Sequence, residues 1–479
     1  MTDTTNTDQP DTGQPDTEHP DGEAAVEELS GADERRRLHD IWVSGTEERF
    51  PFSKATDEGA QELLPREDEP ALDVQKGTTV DDDYIEAPPV VDDELQIINM
   101  GPQHPSTHGV LRLQMELDGE TVRRVKPIIG YLHTGMEKTA ETLNYAQGST
   151  NVTRMDYLAP FHNELAYSLT VEQLLGIDLP PRADAIRILM TELNRVSSHL
   201  LWAATMGMDI GALSMMIYGW REREVCLDFF EKTTGLRMNH NYIRPGGVAA
   251  DLPDGWEDDV AHIIDAVGKG VDEYEELLND NPIFLDRTLG VGVITPEECK
   301  QFGVTGPIAR ASGLNWDLRK QMPYSGIDSY EFEVPTGKHG DVHDRYEVRI
   351  AEIRESLKIV QQVMDRMPAG DFRTPDAKVT PPPRKRIDES MEALIHHFKL
   401  FTEGIVVPEG TAYQSVEGPR GEVGCYLVSK GGSKPWRMHW RAPSFAAVQA
   451  LPAMMTDSLV ADVVAALASS DPVLGDVDR

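Results

Sequence analysis

The stretch from Arg182 to Met206 most constrains what this chain can fold into, because its apolar residues recur at intervals of three and four. Those residues are Ile186, Leu189, Met190, Leu193, Val196, Leu200 and Leu201. Pro180-Pro181 precedes them as a helix start signal, so the pattern predicts a long amphipathic α-helix. Comparable patterns predict helices over about 212–234, 254–278, 344–367 and 454–467. This many helices indicates a largely helical core.

Strand patterns lie on both sides of the helical region. Residues 95–98 and 110–113 have the pattern of two strands joined by a loop, and residues 121–130 continue as a third strand. Residues 411–427 and 436–441 alternate in the same way around several glycines. The predicted fold class is therefore α+β, mainly α, with a helical core and peripheral β-hairpins.

The first 94 residues differ in composition from the rest. They hold 28 Asp and Glu against 7 Lys and Arg, a net charge of −21 within a total of −37. Large apolar side chains are scarce there, so burial does not offset the entropy of ordering. We predict an acidic, largely disordered N-terminal arm over 1–94 and a folded domain over 95–479. The folded part is acidic too, and Arg outnumbers Lys two to one, which indicates a halophile, archaeal in character.

Several functions are disfavoured by composition. The negative charge leaves no basic footprint for nucleic acid. Cys226, Cys299 and Cys425 are too far apart for an iron–sulfur motif, so we expect buried thiols in a reducing cytoplasm. The sequence has no apolar run of 18 residues and no signal peptide, so we expect it to reach a membrane only through partners. Without a glycine-rich nucleotide-binding motif, the chain should not bind NADH itself.

The loop between the first two strands, MGPQHPSTHGVLRL, presents two histidines. Its prolines fix φ and remove backbone donors, and Gly109 permits a φ that other residues resist. We therefore predict a stiff, exposed loop that carries His104 and His108. Histidines four residues apart also suit a metal, but no third ligand cluster accompanies them, so we expect no metal here. An ordinary turn with two incidental histidines is the competing interpretation.

Tyr157 and Asp209 are the other candidate site residues. Tyr157 follows Arg154-Met-Asp at the start of a helix near Pro160. A protonated phenol and a histidine together match the hydrogen bonds and protons that a quinone needs on reduction, although core packing explains Tyr157 as well. Asp209 lies at the end of the long helix, where it would raise the pKa of a partner histidine or cap the next helix.

The motifs of residues 95–479 resemble, in order, the D-subunit family of proton-pumping NADH:quinone oxidoreductase, respiratory complex I. They include GPQHPSTHGVLR, YLHTGMEK, RMDYLAPFHNELAYSLTVE, MTELNRVSSHL, YIRPGG, VEGPRGE and the terminal GDVDR. That family is similar to the large subunit of nickel–iron hydrogenases, which implies the same helical core. Hydrogenases hold their metal through two paired-cysteine motifs, and the corresponding regions here, 154–159 and 476–479, contain no cysteine. The resemblance therefore implies a quinone headgroup in place of the metal.

The resemblance also implies a role for each candidate residue. His108 and Tyr157 would bind the headgroup, Asp209 would pair with His108, and His104 would support the loop. Arg154 would lie near the terminal iron–sulfur cluster, which the adjacent B subunit holds.

The resemblance further implies the C, H and I subunits as partners, menaquinone as the quinone, and a peripheral position on the cytoplasmic side of the cell membrane.

The sequence departs from the family pattern at Asn239, which is followed by His240. Many relatives carry at this position a histidine that responds to the cluster's charge. The alternative function is a hydrogenase large subunit with a metal site, which the lack of paired cysteines disfavours.

Overall fold

The computed structural model describes residues 95–102 and 109–479. Two predictions lie outside the described residues. One is the arm over 1–94 with its domain boundary, and the other is the loop placement of His104 and His108. Strands in the described ranges form antiparallel sheets in the orders β1-β2-β3, β4-β5 and β6-β7-β8. The strands are β1 (Gln96–Met100), β2 (Arg112–Asp118), β3 (Thr121–Ile128), β4 (Ile243–Arg244), β5 (Gly247–Val248), β6 (Gly410–Gly418), β7 (Gly421–Ser429) and β8 (Arg437–Arg441).

Helices make up most of the rest, so the mixed α+β class is confirmed. They are α1 (Met136–Ala140), α2 (Tyr145–Val152), α3 (Pro160–Leu175), α4 (Pro181–Ile210), α5 (Leu213–Thr234), α6 (Trp256–Leu278), α7 (Pro282–Thr288), α8 (Pro296–Phe302), α9 (Pro307–Ala311), α10 (Leu318–Gln321), α11 (Val342–Asp365), α12 (Arg384–Ile387), α13 (Met391–Thr402), α14 (Pro443–Met455), α15 (Val460–Ser470) and α16 (Leu474–Asp478), with a short 3₁₀ turn at Ile327–Ser329.

The long helix α4 lies at the centre of the helical core. It begins after Pro180 and ends at Gly211, whose φ of 106° stops the helix, as the start signal and the apolar spacing predict. It packs against α3, α5, α11 and α15. However, Arg187, Glu192 and Arg195 are also fully buried. The amphipathic interpretation is therefore wrong for the polar side of this helix, which faces protein and not solvent.

Ion pairs satisfy much of the buried charge around α4. Arg319 of α10 lies 3.0 Å from Glu192, and Arg310 of α9 lies 2.7 Å from Glu417 at the end of β6. Arg310 also contacts Glu352 of α11, 2.7 Å away. Because removing one partner would leave an unpaired buried charge, this network fixes the arrangement of the elements around α4.

Two apolar clusters fill the interior. The main cluster lies among α3 to α6, α11 and the β6-β7-β8 sheet, and a second lies between the β1-β2-β3 sheet and the C-terminal helices. Cys226, Cys299 and Cys425 are buried free thiols, as expected. In the described ranges, none of the helices has the length and apolar character that crossing a membrane requires.

The last predicted helix, 454–467, is wrong in its bounds. The structure has two helices there, α14 and α15, with a break at residues 456–459. Asp457 adopts a left-handed φ of 64°, and the backbone of this break pairs with Val122 of β3. The polar run Thr456-Asp-Ser ends the first helix because its backbone bonds to the sheet instead of continuing the helical turn.

Candidate functional site

The segment Arg154–Tyr157 lies in direct contact with the C-terminal helix α16. A β-carbon built at Gly475 would lie 2.5 Å from the carbonyl oxygen of Met155 and 3.1 Å from Cδ1 of Tyr157. This approach needs a residue without a side chain. The fold therefore packs the segment that carries Tyr157 directly against α16.

The same short helix also contacts the region of the first sheet. The Asp478 carboxylate accepts hydrogen bonds from the backbone N–H groups of Gly130 and Leu132, at 2.8 and 2.7 Å. A β-carbon built at Gly109 would lie 3.1 Å from Cγ of Leu474. Helix α16 thus joins three of the recognised motifs: the end of the histidine loop, the turn after β3 and the Tyr157 segment.

Tyr157 is half-buried just before α3. Burial, together with the charge of the adjacent Asp156, raises the pKa of its phenol above the ordinary value near 10. The hydroxyl therefore stays protonated at neutral pH and is suited to donate a hydrogen bond or a proton.

Beside Tyr157 lies a group of buried charges that we call the acid cluster: Asp156, Arg420, Asp471 and Asp476. The Arg420 guanidinium, from the turn between β6 and β7, bridges two of the carboxylates. Its Nη1 lies 2.9 Å from Asp156 Oδ2, and its Nη2 lies 2.9 Å from Asp471 Oδ2. Asp156 also accepts backbone hydrogen bonds from Leu158 and Ala159. These bonds fix the segment that carries Tyr157.

Asp476 is the carboxylate of the acid cluster that has no ion pair within the described residues. It is fully buried, and Oδ2 accepts one hydrogen bond, from the backbone N–H of Ser444 at 3.1 Å. Its Oδ1 has no hydrogen-bond partner among the described residues. Burial, and then the negative charge of Asp156, raise the pKa of Asp476 to about 7. Burial therefore favours the protonated form of this carboxyl group.

Sequence reasoning assigned no role to the acid cluster. The Asp156–Arg420 pair joins residues 264 positions apart. A charged residue in a hairpin turn is ordinarily solvated, so the turn sequence Gly-Pro-Arg-Gly carries no signal that Arg420 points into the core.

Arg154 is exposed on the other side of the same segment. Its Nη1 donates hydrogen bonds to the Thr150 carbonyl oxygen at 2.5 Å and to Thr153 Oγ1 at 3.2 Å. It lines a shallow surface depression together with Gln147. The guanidinium is accessible to a neighbouring subunit.

Asp209 is the second-last residue of α4 and is partly buried. The capping interpretation is wrong, because the N-cap of α5 is Ala212 and Asp209 lies inside the preceding helix. The predicted pairing with His108 involves a residue outside the described part of the chain, so it stays a prediction.

Comparison with known proteins identifies the family. The family model for the respiratory-chain NADH dehydrogenase 49 kDa subunit matches residues 209–479, more than half of the chain. The chain belongs to this family. One NADH-quinone oxidoreductase D subunit of Salinispora arenicola is 54% identical over 407 residues, which cover 81% of this chain and 92% of that protein. A corresponding D subunit of Chloroflexus aurantiacus is 53% identical over 389 residues, 81% of this chain and 95% of that protein. The resemblance seen in the motifs is confirmed.

Proposed function

We propose that this chain forms most of the quinone-reduction pocket of a proton-pumping NADH:quinone oxidoreductase, on a helical core related to the large subunit of nickel–iron hydrogenases. The contact between Tyr157 and α16 carries this proposal. At the place where hydrogenases present cysteines to a metal, this chain presents a protonated phenol and a cluster of carboxylates. Those groups suit an organic acceptor that takes up protons.

Quinone reduction places negative charge on two carbonyl oxygens, and each must be hydrogen-bonded and then protonated. Tyr157 serves one oxygen, since its raised pKa keeps the hydroxyl protonated. His108 serves the other, from a loop whose end, Gly109, approaches Leu474 of α16. His104 supports that loop, and Asp209 pairs with His108 and favours its protonated form.

The terminal iron–sulfur cluster of the adjacent B subunit would supply the electrons, on the side of the chain where Arg154 is exposed. The C, H and I subunits complete the surroundings of the pocket, menaquinone is the acceptor, and the assembly sits on the cytoplasmic side of the membrane.

His240 stacks on Phe161 with ring centroids 4.1 Å apart, and burial lowers its pKa to about 4. It stays neutral at physiological pH, so we assign it no proton exchange linked to that cluster.

The test is the substitution Tyr157→Phe, measured as quinone reductase activity of membranes, with blotting to confirm assembly. The change removes one hydroxyl and little volume. Loss of a positioned proton donor lowers the rate by about 100-fold. Tyr413→Phe is the matched control, because that hydroxyl is bonded to Glu422 on the β6-β7 hairpin and its residue is 42% exposed. Near-normal activity of Tyr157→Phe in an assembled complex contradicts the proposal.

A further inference from the structure

A cavity with a volume of about 340 Å³ lies between the start of α2, the β4-β5 hairpin, the segment 373–381 and the end of α13. Arg244 and Arg373 line it, and no Asp or Glu does so within the described residues. The whole chain has 82 Asp and Glu against 45 Lys and Arg, so a cavity lined by positive charge departs from its acidic character. Small-molecule sites have volumes of about 300–1,000 Å³, and this cavity falls at the lower end of that range.

Arg244 and Arg373 are held by backbone carbonyl oxygens. Arg244 Nε donates to the Asn241 carbonyl oxygen at 2.9 Å, and Arg373 Nε donates to that of Val248 at 3.0 Å. Neither arginine forms an ion pair with a residue in the described ranges. Burial lowers the pKa of Arg373, and the positive charge of Arg244 lowers it further, so the two guanidinium groups repel each other. An anion bound to both would offset that repulsion.

Glu164 is an acidic group whose charge acts on Arg244. It is fully buried, and its two oxygens accept hydrogen bonds from the backbone N–H groups of residues 241–243, at 2.5, 2.9 and 2.7 Å. The terminal nitrogens of Arg244 make no hydrogen bond or ion pair to Glu164 or to any other residue in the described part of the chain. They are therefore available to a ligand.

A buried ion pair fixes the hairpin that carries Arg244. Arg187 and Glu172 lie 2.6 Å apart. Arg187 Nη2 also donates to the carbonyl oxygens of Arg244 and Gly247, at 2.8 and 3.0 Å, and Glu172 Oε1 accepts a hydrogen bond from the N–H of Gly246 at 2.8 Å. The hairpin backbone is ordered before any ligand binds, which limits the entropy lost on binding.

The rest of the cavity lining is partly polar and partly apolar. Asn144 and Gln147 form the capping box at the start of α2, in which each side-chain oxygen accepts a backbone N–H. Their amide nitrogens are left as hydrogen-bond donors. The apolar lining residues include Val248, Val379, Leu400, Phe401 and Ile405. The cavity thus combines two cations and several donors with an apolar wall.

We propose that this cavity binds a phosphate monoester that carries a small apolar group. A phosphate monoester has a charge of about −1.5 to −2 at neutral pH, which matches two guanidinium groups better than the single charge of a carboxylate does. The two terminal nitrogens of Arg244 form a planar fork that suits two phosphate oxygens. The apolar group packs on the wall that includes Phe401. The inference does not depend on the proposed function.

The experiment is equilibrium dialysis of the purified whole complex, at constant ionic strength, with inorganic phosphate and with hexyl phosphate as probes. We expect one saturable site at which the two probes compete, and tighter binding of hexyl phosphate by about 10-fold or more because its chain is buried. Hexanol, which lacks the phosphate, should not compete. Equal affinity for the two phosphates removes the apolar group from the inference and leaves free phosphate as the ligand.

Three variants test the residues. Arg244→Gln should weaken the binding of both probes by about 10-fold or more, since it removes charge-assisted hydrogen bonds. Ala146→Asp, at an exposed lining position in the first turn of α2, should weaken binding as much, because it adds a negative charge and leaves both arginines in place. Arg366→Gln is the matched control, since it removes the same charge from the exposed end of α11 and should bind as the native chain does.

Assembly of each variant is checked by blotting and by NADH:ferricyanide activity. Native affinity in an assembled Arg244→Gln complex overturns the inference. If Arg244→Gln does not assemble, Ala146→Asp decides, and native affinity in that variant has the same meaning. The absence of saturable binding to the native complex also overturns the inference, and this is the result expected if an acidic side chain of a neighbouring subunit fills the cavity.

Discussion

Replacing Gly475 by alanine tests whether α16 positions Tyr157. The added β-carbon would lie 2.5 Å from the carbonyl oxygen of Met155 and 3.0 Å from that of Arg154. Both obstacles are backbone atoms, which do not rotate away as a side chain does. Because a carbon and a carbonyl oxygen approach to about 3.3 Å at closest, the helix or the Tyr157 segment must move by about 0.8 Å.

The expected loss of stability is modest and the expected loss of activity is larger. Overpacking of this kind costs about 1–3 kcal/mol, and the gain in helix propensity on replacing glycine offsets up to about 1 kcal/mol. A net loss of about 1–2 kcal/mol leaves most of the chain folded. A displacement near 1 Å of a catalytic group, in contrast, lowers a rate by up to about 100-fold.

The assay compares quinone reductase rate per assembled complex with the midpoint of thermal inactivation of the purified complex. Gly268→Ala is the matched control, since Gly268 lies in α6 and a β-carbon there meets nothing within 4 Å. The control should keep full activity and be as stable as the native chain or up to about 1 kcal/mol more stable. If Gly475→Ala behaves like Gly268→Ala in both measurements, α16 does not hold Tyr157 in place.

Two further predictions concern the buried charges. Arg319→Met leaves the carboxylate of Glu192 with one fewer cation and should lower the stability of the fold by about 3–5 kcal/mol, so blots should show little assembled complex. Arg354→Met, at a partly exposed ion pair, should lower it by less than about 1 kcal/mol. His240 has a folded pKa of about 4, below its unfolded value near 6.5. The unfolded chain therefore binds more protons between these two pH values. Because of this, the free energy of unfolding falls by about 3 kcal/mol in total as the pH drops from about 6.5 through about 4. His240→Phe, which keeps the stack on Phe161, should show a smaller acid shift in the thermal inactivation midpoint, and an unchanged shift would place the titration elsewhere.

The sequence by itself determined the family, the mainly helical class and most of the long elements. The spacing of apolar residues predicted α4 to within a few residues of Pro181–Ile210, and the alternation of residues predicted the hairpin in which Met100 lies opposite Leu113. These features are set locally, because the period of a helix or strand fixes the face on which each side chain lies. The sequence also located Arg154, Tyr157 and Asp209 as candidates, whereas the placement of His104 and His108 stays a prediction.

Tertiary structure alone decided how the site is assembled. Arg420 belongs to a turn that looks solvated in sequence, yet it pairs with Asp156 because the packing of β6 and β7 against the core carries the turn inward. The break between α14 and α15 follows from bonds to Val122, more than 300 residues earlier. The proton affinity of Asp476 depends on burial and on the charge of Asp156, which no neighbour in sequence supplies. Such pairings depend on the summed packing of the whole core, and a local residue pattern carries no information about it.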